Sequence, residues 1–133
     1  NMQISLDRLD EAHDALLTQT KTLVEESSST LLNYLQDSQA TSLENIPAQF
    51  KEISGALLFL SAKDGQTALL NSENFLKAEM AKESTLTNPQ VERLLDVLAS
   101  VEILIENIRN KQPIIQKMFD IALTSSQNLK ASA

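Results

Sequence analysis

The sequence predicts an all-α protein, an antiparallel helical bundle, and three observations carry that prediction. Apolar residues recur every three or four positions from end to end; Ile46, Phe50, Ile53, Leu57 and Leu60 fall at spacings of 4, 3, 4 and 3. No stretch alternates apolar with polar residues. The one Asp-Gly pair, Asp64-Gly65, lies between helical patterns and not between β-branched runs. The chain of 133 residues also holds only 2 Gly and 3 Pro, too few for the many turns of a sandwich or barrel. With 42% hydrophobic residues it can bury a core. Its length fits one domain over residues 1–133. Aromatics are scarce and Trp is absent, so that core is aliphatic.

The first helix is expected over about Ser5 to Asp37, with Ser5 as N-cap and Asp7 at the positive end of the dipole. Leu6, Leu9, His13, Leu16, Leu23 and Val24 form its apolar stripe, and Leu31, Leu32, Tyr34 and Leu35 resume it. Between them stands Ser27-Ser28-Ser29-Thr30, whose hydroxyls compete for backbone hydrogen bonds. The segment therefore reads as one long helix, or as two with a break at the serines. A second helix starts between Ser42 and Pro47, where proline is tolerated in the first turn, and ends near Ala62. Lys63-Asp64-Gly65 reads as the turn. The third helix follows to Lys82, with Ala68, Leu69, Ser72, Phe75, Leu76, Glu79 and Met80 inward.

Glu83 to Thr87 is a loop, and Asn88-Pro89 reads as N-cap followed by a first-position proline. The fourth helix, to about Asn110, carries a seam of Val91, Leu94, Leu98, Val101, Ile105 and Ile108. Leu95, Val97, Ile103 and Leu104 add a second apolar face, so this helix needs two neighbours. A fifth helix from Pro113, bearing Ile114, Ile115, Met118, Phe119, Ala122 and Leu123, can be one of them.

Composition excludes several functions. Lys+Arg number 11 against 18 Asp+Glu, a net charge of -7, which argues against nucleic acid or anionic lipid as the main partner. Without Cys there is no disulfide framework, zinc-thiolate site or thiol nucleophile. No apolar run approaches the ~18–20 residues that span a bilayer, and the polar, amphipathic N-terminus is not a signal peptide. The expected compartment is the cytoplasm. Asn1 precedes Met2, and the chain ends abruptly at Ala133; the expectation is the N-terminal piece of a longer protein.

Catalytic chemistry has little support. His13 is the only histidine and lies on an apolar stripe, which suits a core-edge side chain better than a base. Glu102/Glu106 and Glu79/Glu83 lack the Glu-x-x-His partners of a di-metal bundle site and read as solvated faces. Lys21/Glu25 and Glu73/Lys77 are local i,i+4 ion pairs. No cofactor, metal or small-molecule substrate is implied.

The informative stretch is Phe50-Lys51-Glu52-Ile53-Ser54-Gly55-Ala56-Leu57-Leu58-Phe59-Leu60. Gly55 sits in mid-helix, where glycine costs about 1 kcal/mol relative to alanine. Either a neighbouring helix packs closely there or a partner approaches. Lys51, Gly55 and Leu58, at i, i+4 and i+7, form a row rotated away from the buried seam, with Phe59 beside it; for Leu58 the equal alternative is packing against the first or fifth helix.

These residues resemble the motif of a histidine-phosphotransfer (Hpt) domain, a four-helix bundle with an accepting histidine on its second helix. In that register Lys51 stands at the acceptor position, Ser54 at the basic position, Gly55 at the motif glycine and Gly65 at the turn glycine. The accepting histidine is absent, and a protonated lysine ammonium is no nucleophile. A closer resemblance is to the degenerate Hpt-like family of FimL and of the N-terminal domain of the type IV pilus chemotaxis-type kinase ChpA/PilL. Ala78-Glu79-Met80 and the segment from Gln112 to Asp120 are similar to that family's third helix and Pro-led apolar segment. The resemblance spans roughly Ile4 to Thr124.

It implies a four-helix core plus a C-terminal helix, and a non-catalytic scaffold in twitching motility and cyclic AMP signalling. Such a scaffold would dock a FimV-like polar hub protein or a response regulator, at the cell pole, through Lys51, Ser54, Gly55, Leu58 and Phe59. Two alternatives remain open: an active phosphotransfer domain using His13, and a structural, oligomerising bundle.

Overall fold

A computed structural model of the chain describes residues 2–60, 63–82, 85–112 and 116–132. Among them run five helices and no strand: α1 (Met2–Gln36), α2 (Ile46–Phe59), α3 (Lys63–Ala81), α4 (Asn88–Arg109) and α5 (Gln116–Ser132). Side chains of residues 1–10 and 113–119 lie outside the description. That takes in the expected N-cap at Ser5, the stripe residues Leu6 and Leu9, and Pro113, Ile114, Ile115, Met118 and Phe119.

α1 is one unbroken helix of 35 residues, roughly 50 Å long at 1.5 Å per residue. The serine run does not break it, and the hydroxyls of Ser27 and Thr30 find partners that leave the backbone ladder intact. Ser27, fully buried, donates to Oε1 of Gln49 on α2 at 2.8 Å, and Thr30 donates to the Glu26 carbonyl at 3.0 Å. The buried line of α1 also differs from the stripe expected from sequence. It comprises Leu17, Thr20, Val24, Ser27, Leu31 and Tyr34, at spacings of three and four. Two of these positions, Thr20 and Ser27, are small polar residues, which hid the line from an apolar count. Leu16 and Leu23 are only half-buried, and Leu32 is exposed.

In α2, Ile46, Phe50, Ile53 and Leu57 are fully buried, as their spacing predicts. The helix is described to Phe59, and the expected end near Ala62 lies outside the described residues. Lys63, Asp64 and Gly65, expected as the turn, instead form the first turn of α3. Asp64 is favourable there against the positive end of the helix dipole, and a first turn tolerates glycine better than a helix interior does.

α3 buries Ala68, Leu69, Ser72, Phe75, Leu76 and Glu79, while Met80, expected inward, is exposed. Glu73 is also buried, paired with Lys77 at 2.8 Å.

The N-cap of α4 is Thr87, one residue before the expected Asn88. Its extended backbone and side chain close a capping box with Gln90: Thr87 N–H donates to Gln90 Oε1 at 2.9 Å, and Gln90 N–H donates to Thr87 Oγ1 at 3.3 Å. Val91, Leu94, Val97, Leu98, Val101, Leu104 and Ile105 are buried, whereas Ile103 is exposed. α4 packs against both α1 and α5, as its two apolar faces require.

Around the bundle the helices neighbour one another in the order α1, α2, α3, α5, α4 and back to α1. The C-terminal helix is thus built into the bundle, seated between α3 and α4 through Ala122, Ser125, Ser126 and Leu129. Lys21 does not pair with Glu25. It reaches across to Glu106 on α4 at 2.9 Å and joins α1 to α4. No described helix is long and apolar enough to cross a membrane.

Candidate functional site: the outer face of α2 and the groove beside it

The inner side of α2 is fixed by Ile46, Phe50, Ile53 and Leu57, so the opposite side must face outward. Lys51, Gly55, Leu58 and Phe59 all lie there exposed, Leu58 at 61% and Phe59 at 58%. Ser54 does not share this face. At 3% exposure it is turned into the bundle, because it falls on the buried flank of α2 with Phe50 and Leu57. Gly65 is separated from the row as well, in the first turn of α3.

Among the described residues nothing imposes a glycine at position 55. Its φ is not positive, and a Cβ built on it would meet no atom within 4 Å beyond its own helix backbone. The reading in which a neighbouring helix of the same bundle demands glycine there is therefore excluded. The helix interior bears a glycine's cost for no gain in its own packing.

Beside the row, between α1 and α2, runs an open groove of about 440 Å³. Ala12, Leu16 and Leu23 line it from α1; Gly55, Ala56 and Phe59 line it from α2. Glu52, Gln19 and Thr20 supply the polar atoms, but the Thr20 hydroxyl is committed to the Leu16 carbonyl at 2.7 Å. At one end His13 meets Phe59 edge to face, with ring centroids 5.6 Å apart and planes at 83°. That contact, and the half-burial of His13, fit a core-edge histidine.

Sequence reasoning singled out the α2 wall and missed the α1 wall. A signal was present in the doublets Leu16-Leu17 and Leu23-Val24, seven residues apart. One member of each faces the core and the other lines the groove.

Among the described residues no group of three or more His, Cys, Asp or Glu side chains converges to hold a metal. Glu106, one of the paired carboxylates on α4, is occupied by Lys21 and lies 3.9 Å from Arg109. Glu79 has Lys82 at 3.5 Å.

Fold and site together define an all-helical bundle whose exposed feature is an apolar inter-helical groove, walled by a helix bearing a glycine the bundle does not use. Comparison with known families gives the class its particular member. The model of the FimL C-terminal domain matches residues 7–126, and the chain belongs to that family. No curated protein and no solved structure gives a significant match.

Proposed function

We propose that this domain is a non-catalytic protein-binding module of type IV pilus signalling, a degenerate Hpt-type bundle that docks a partner on the outer face of α2. Membership of the FimL C-terminal domain family supports the pathway. One observation carries the binding role: Gly55, in mid-helix, exposed and free of any intramolecular contact that would demand it. Lys51, Leu58 and Phe59 extend that face with a cation and two large apolar side chains. The scaffold would serve twitching motility and cyclic AMP output, recruited at the cytoplasmic pole by a FimV-like hub protein or a response regulator.

An active phosphotransfer domain would need His13 open to a receiver domain, and the half-buried packing of its ring against Phe59 disfavours that. The test has two arms. Incubation with a radiolabelled phospho-receiver should leave no label on this chain; a label that His13→Gln removes would establish phosphotransfer and overturn the reading. Binding of the polar hub protein or response regulator should fall with Gly55→Leu while the circular dichroism spectrum is unchanged. Undiminished binding to both would remove the α2 face from the account.

A further inference from the structure

We propose that the groove between α1 and α2 seats a basic amphipathic helix of the partner protein. The proposal rests on the α2 face being a docking surface, and adds the chemistry and shape of what docks there. The shape comes first. From Ala12 to Leu23 the α1 wall runs roughly 16 Å, three helical turns at 1.5 Å per residue. Leu16, Leu23 and Phe59 stand as apolar walls, and Ala12, Gly55 and Ala56 leave low ground between them. Small residues beneath large ones let a third helix axis approach to ordinary packing distance, with anchors at i, i+4 and i+7. This gives the glycine its use: any side chain at position 55 would stand in the path of the incoming helix.

The charge of the occupant follows from the surroundings. Across residues 11–60 there are seven carboxylates against two lysines: Lys21, held by Glu106 on the α4 side, and Lys51, exposed on the outer face of α2. Glu52 lies in the groove wall itself, and Glu26 continues the Leu16 and Leu23 row, exposed, one turn beyond. A segment flanked by lysine or arginine meets this rim with complementary charge. A second copy of this chain, itself carrying -7, would bring carboxylates onto carboxylates.

The test uses the full chain and synthetic probes. One is an 18-residue peptide with leucines at helical i, i+4, i+7 and i+11 positions, lysines and arginines elsewhere, and a single tryptophan as reporter. Its twin has every lysine and arginine replaced by glutamate. The chain has no tryptophan, so the peptide's fluorescence reads binding directly. The basic peptide should bind at least tenfold tighter than its acidic twin. Gly55→Leu should weaken it at least tenfold, and Glu52→Lys several-fold. Glu102→Lys, the same charge change on α4, should leave binding within twofold of the parent. Equal binding of the twins, indifference to Gly55→Leu, or an equal loss from Glu102→Lys overturns the proposal. So does concentration-dependent self-association in sedimentation that Gly55→Leu abolishes, which would assign the groove to a second copy. If Gly55→Leu abolishes binding of the hub or regulator while the basic peptide fails to bind, the docking face stands and the basic helix falls. If Gly55→Leu changes neither, both fall.

Discussion

The phenolic oxygen of Tyr34, near the end of α1, accepts the backbone N–H of Leu86 at 3.1 Å, and both residues are buried. Leu86 immediately precedes the Thr87 cap, so this bond ties the start of α4 to α1. Tyr34→Phe keeps the ring and removes the acceptor, leaving a buried N–H unsatisfied at a cost of about 1–3 kcal/mol. Urea unfolding should show a lower midpoint with an unchanged slope. An unmoved midpoint would mean that the amide finds another acceptor.

Gly55→Ala should make the domain more stable, by about 0.5–1 kcal/mol, because the added methyl meets nothing and the helix interior gains a better former. A melting temperature higher by a few degrees would read this directly. A fall would reveal an intramolecular constraint at Gly55. Stability gained at a position where binding is expected to suffer is the usual signature of a residue kept for its function.

α4 closes with a six-to-one bond from Gln112 N–H to the Asn107 carbonyl at 2.8 Å, and an inner bond from Lys111 N–H to the Ile108 carbonyl at 3.1 Å. This motif places its next residue in the left-handed region, and that residue is Lys111, with φ of 55°. A side chain there costs roughly 1 kcal/mol or more, while the lysine's charge near a helix C-terminus recovers part of it. Lys111→Gly should therefore stabilise the domain by about 0.5 kcal/mol. Thermal unfolding at matched ionic strength is the measurement, and a lower melting temperature would contradict it.

What could be read from sequence divides along physical lines. The α2 seam from Ile46 to Leu57 and most of the two faces of α4 were legible because burial there follows apolar spacing, although Leu60, Leu95 and Ile108 are only half-buried and Ile103 is exposed. The α1 core line was not, because Thr20 and Ser27 occupy two of its positions: the Thr20 hydroxyl is satisfied within its own helix by the Leu16 carbonyl, and that of Ser27 by Gln49 of α2. The Thr87 cap was legible in Thr-Asn-Pro-Gln, but the Asn-Pro pair inside it gave a competing signal one residue later. Lys51, Gly55, Leu58 and Phe59 could be placed outward from one helix's geometry. Ser54, one step off that row, turned out to be buried. The groove belongs to two helices at once, and its α1 wall appears only when their relative placement is known.

The bridge between Lys21 and Glu106 sets a pH dependence with a defined sign. The hydrogen bond from Lys21, reinforced by its charge, holds the Glu106 carboxyl below its ordinary pKa, and the same contact raises that of Lys21. The Glu106 contribution to stability is therefore complete above the ordinary carboxylate pKa and lost as pH falls through the depressed folded value. The Lys21 contribution is complete below the ordinary lysine pKa and lost as pH rises through its raised one. Both side chains are about a third or more exposed, so the effect is modest and screened by salt. Glu106→Gln should lower the urea midpoint slightly near neutral pH. That difference should shrink toward zero as pH falls through the depressed Glu106 value, below which the native carboxylate is itself protonated. It should also shrink in about 1 M salt at neutral pH. A difference that persists unchanged through both treatments would show that Glu106 holds α1 to α4 by packing and not by charge.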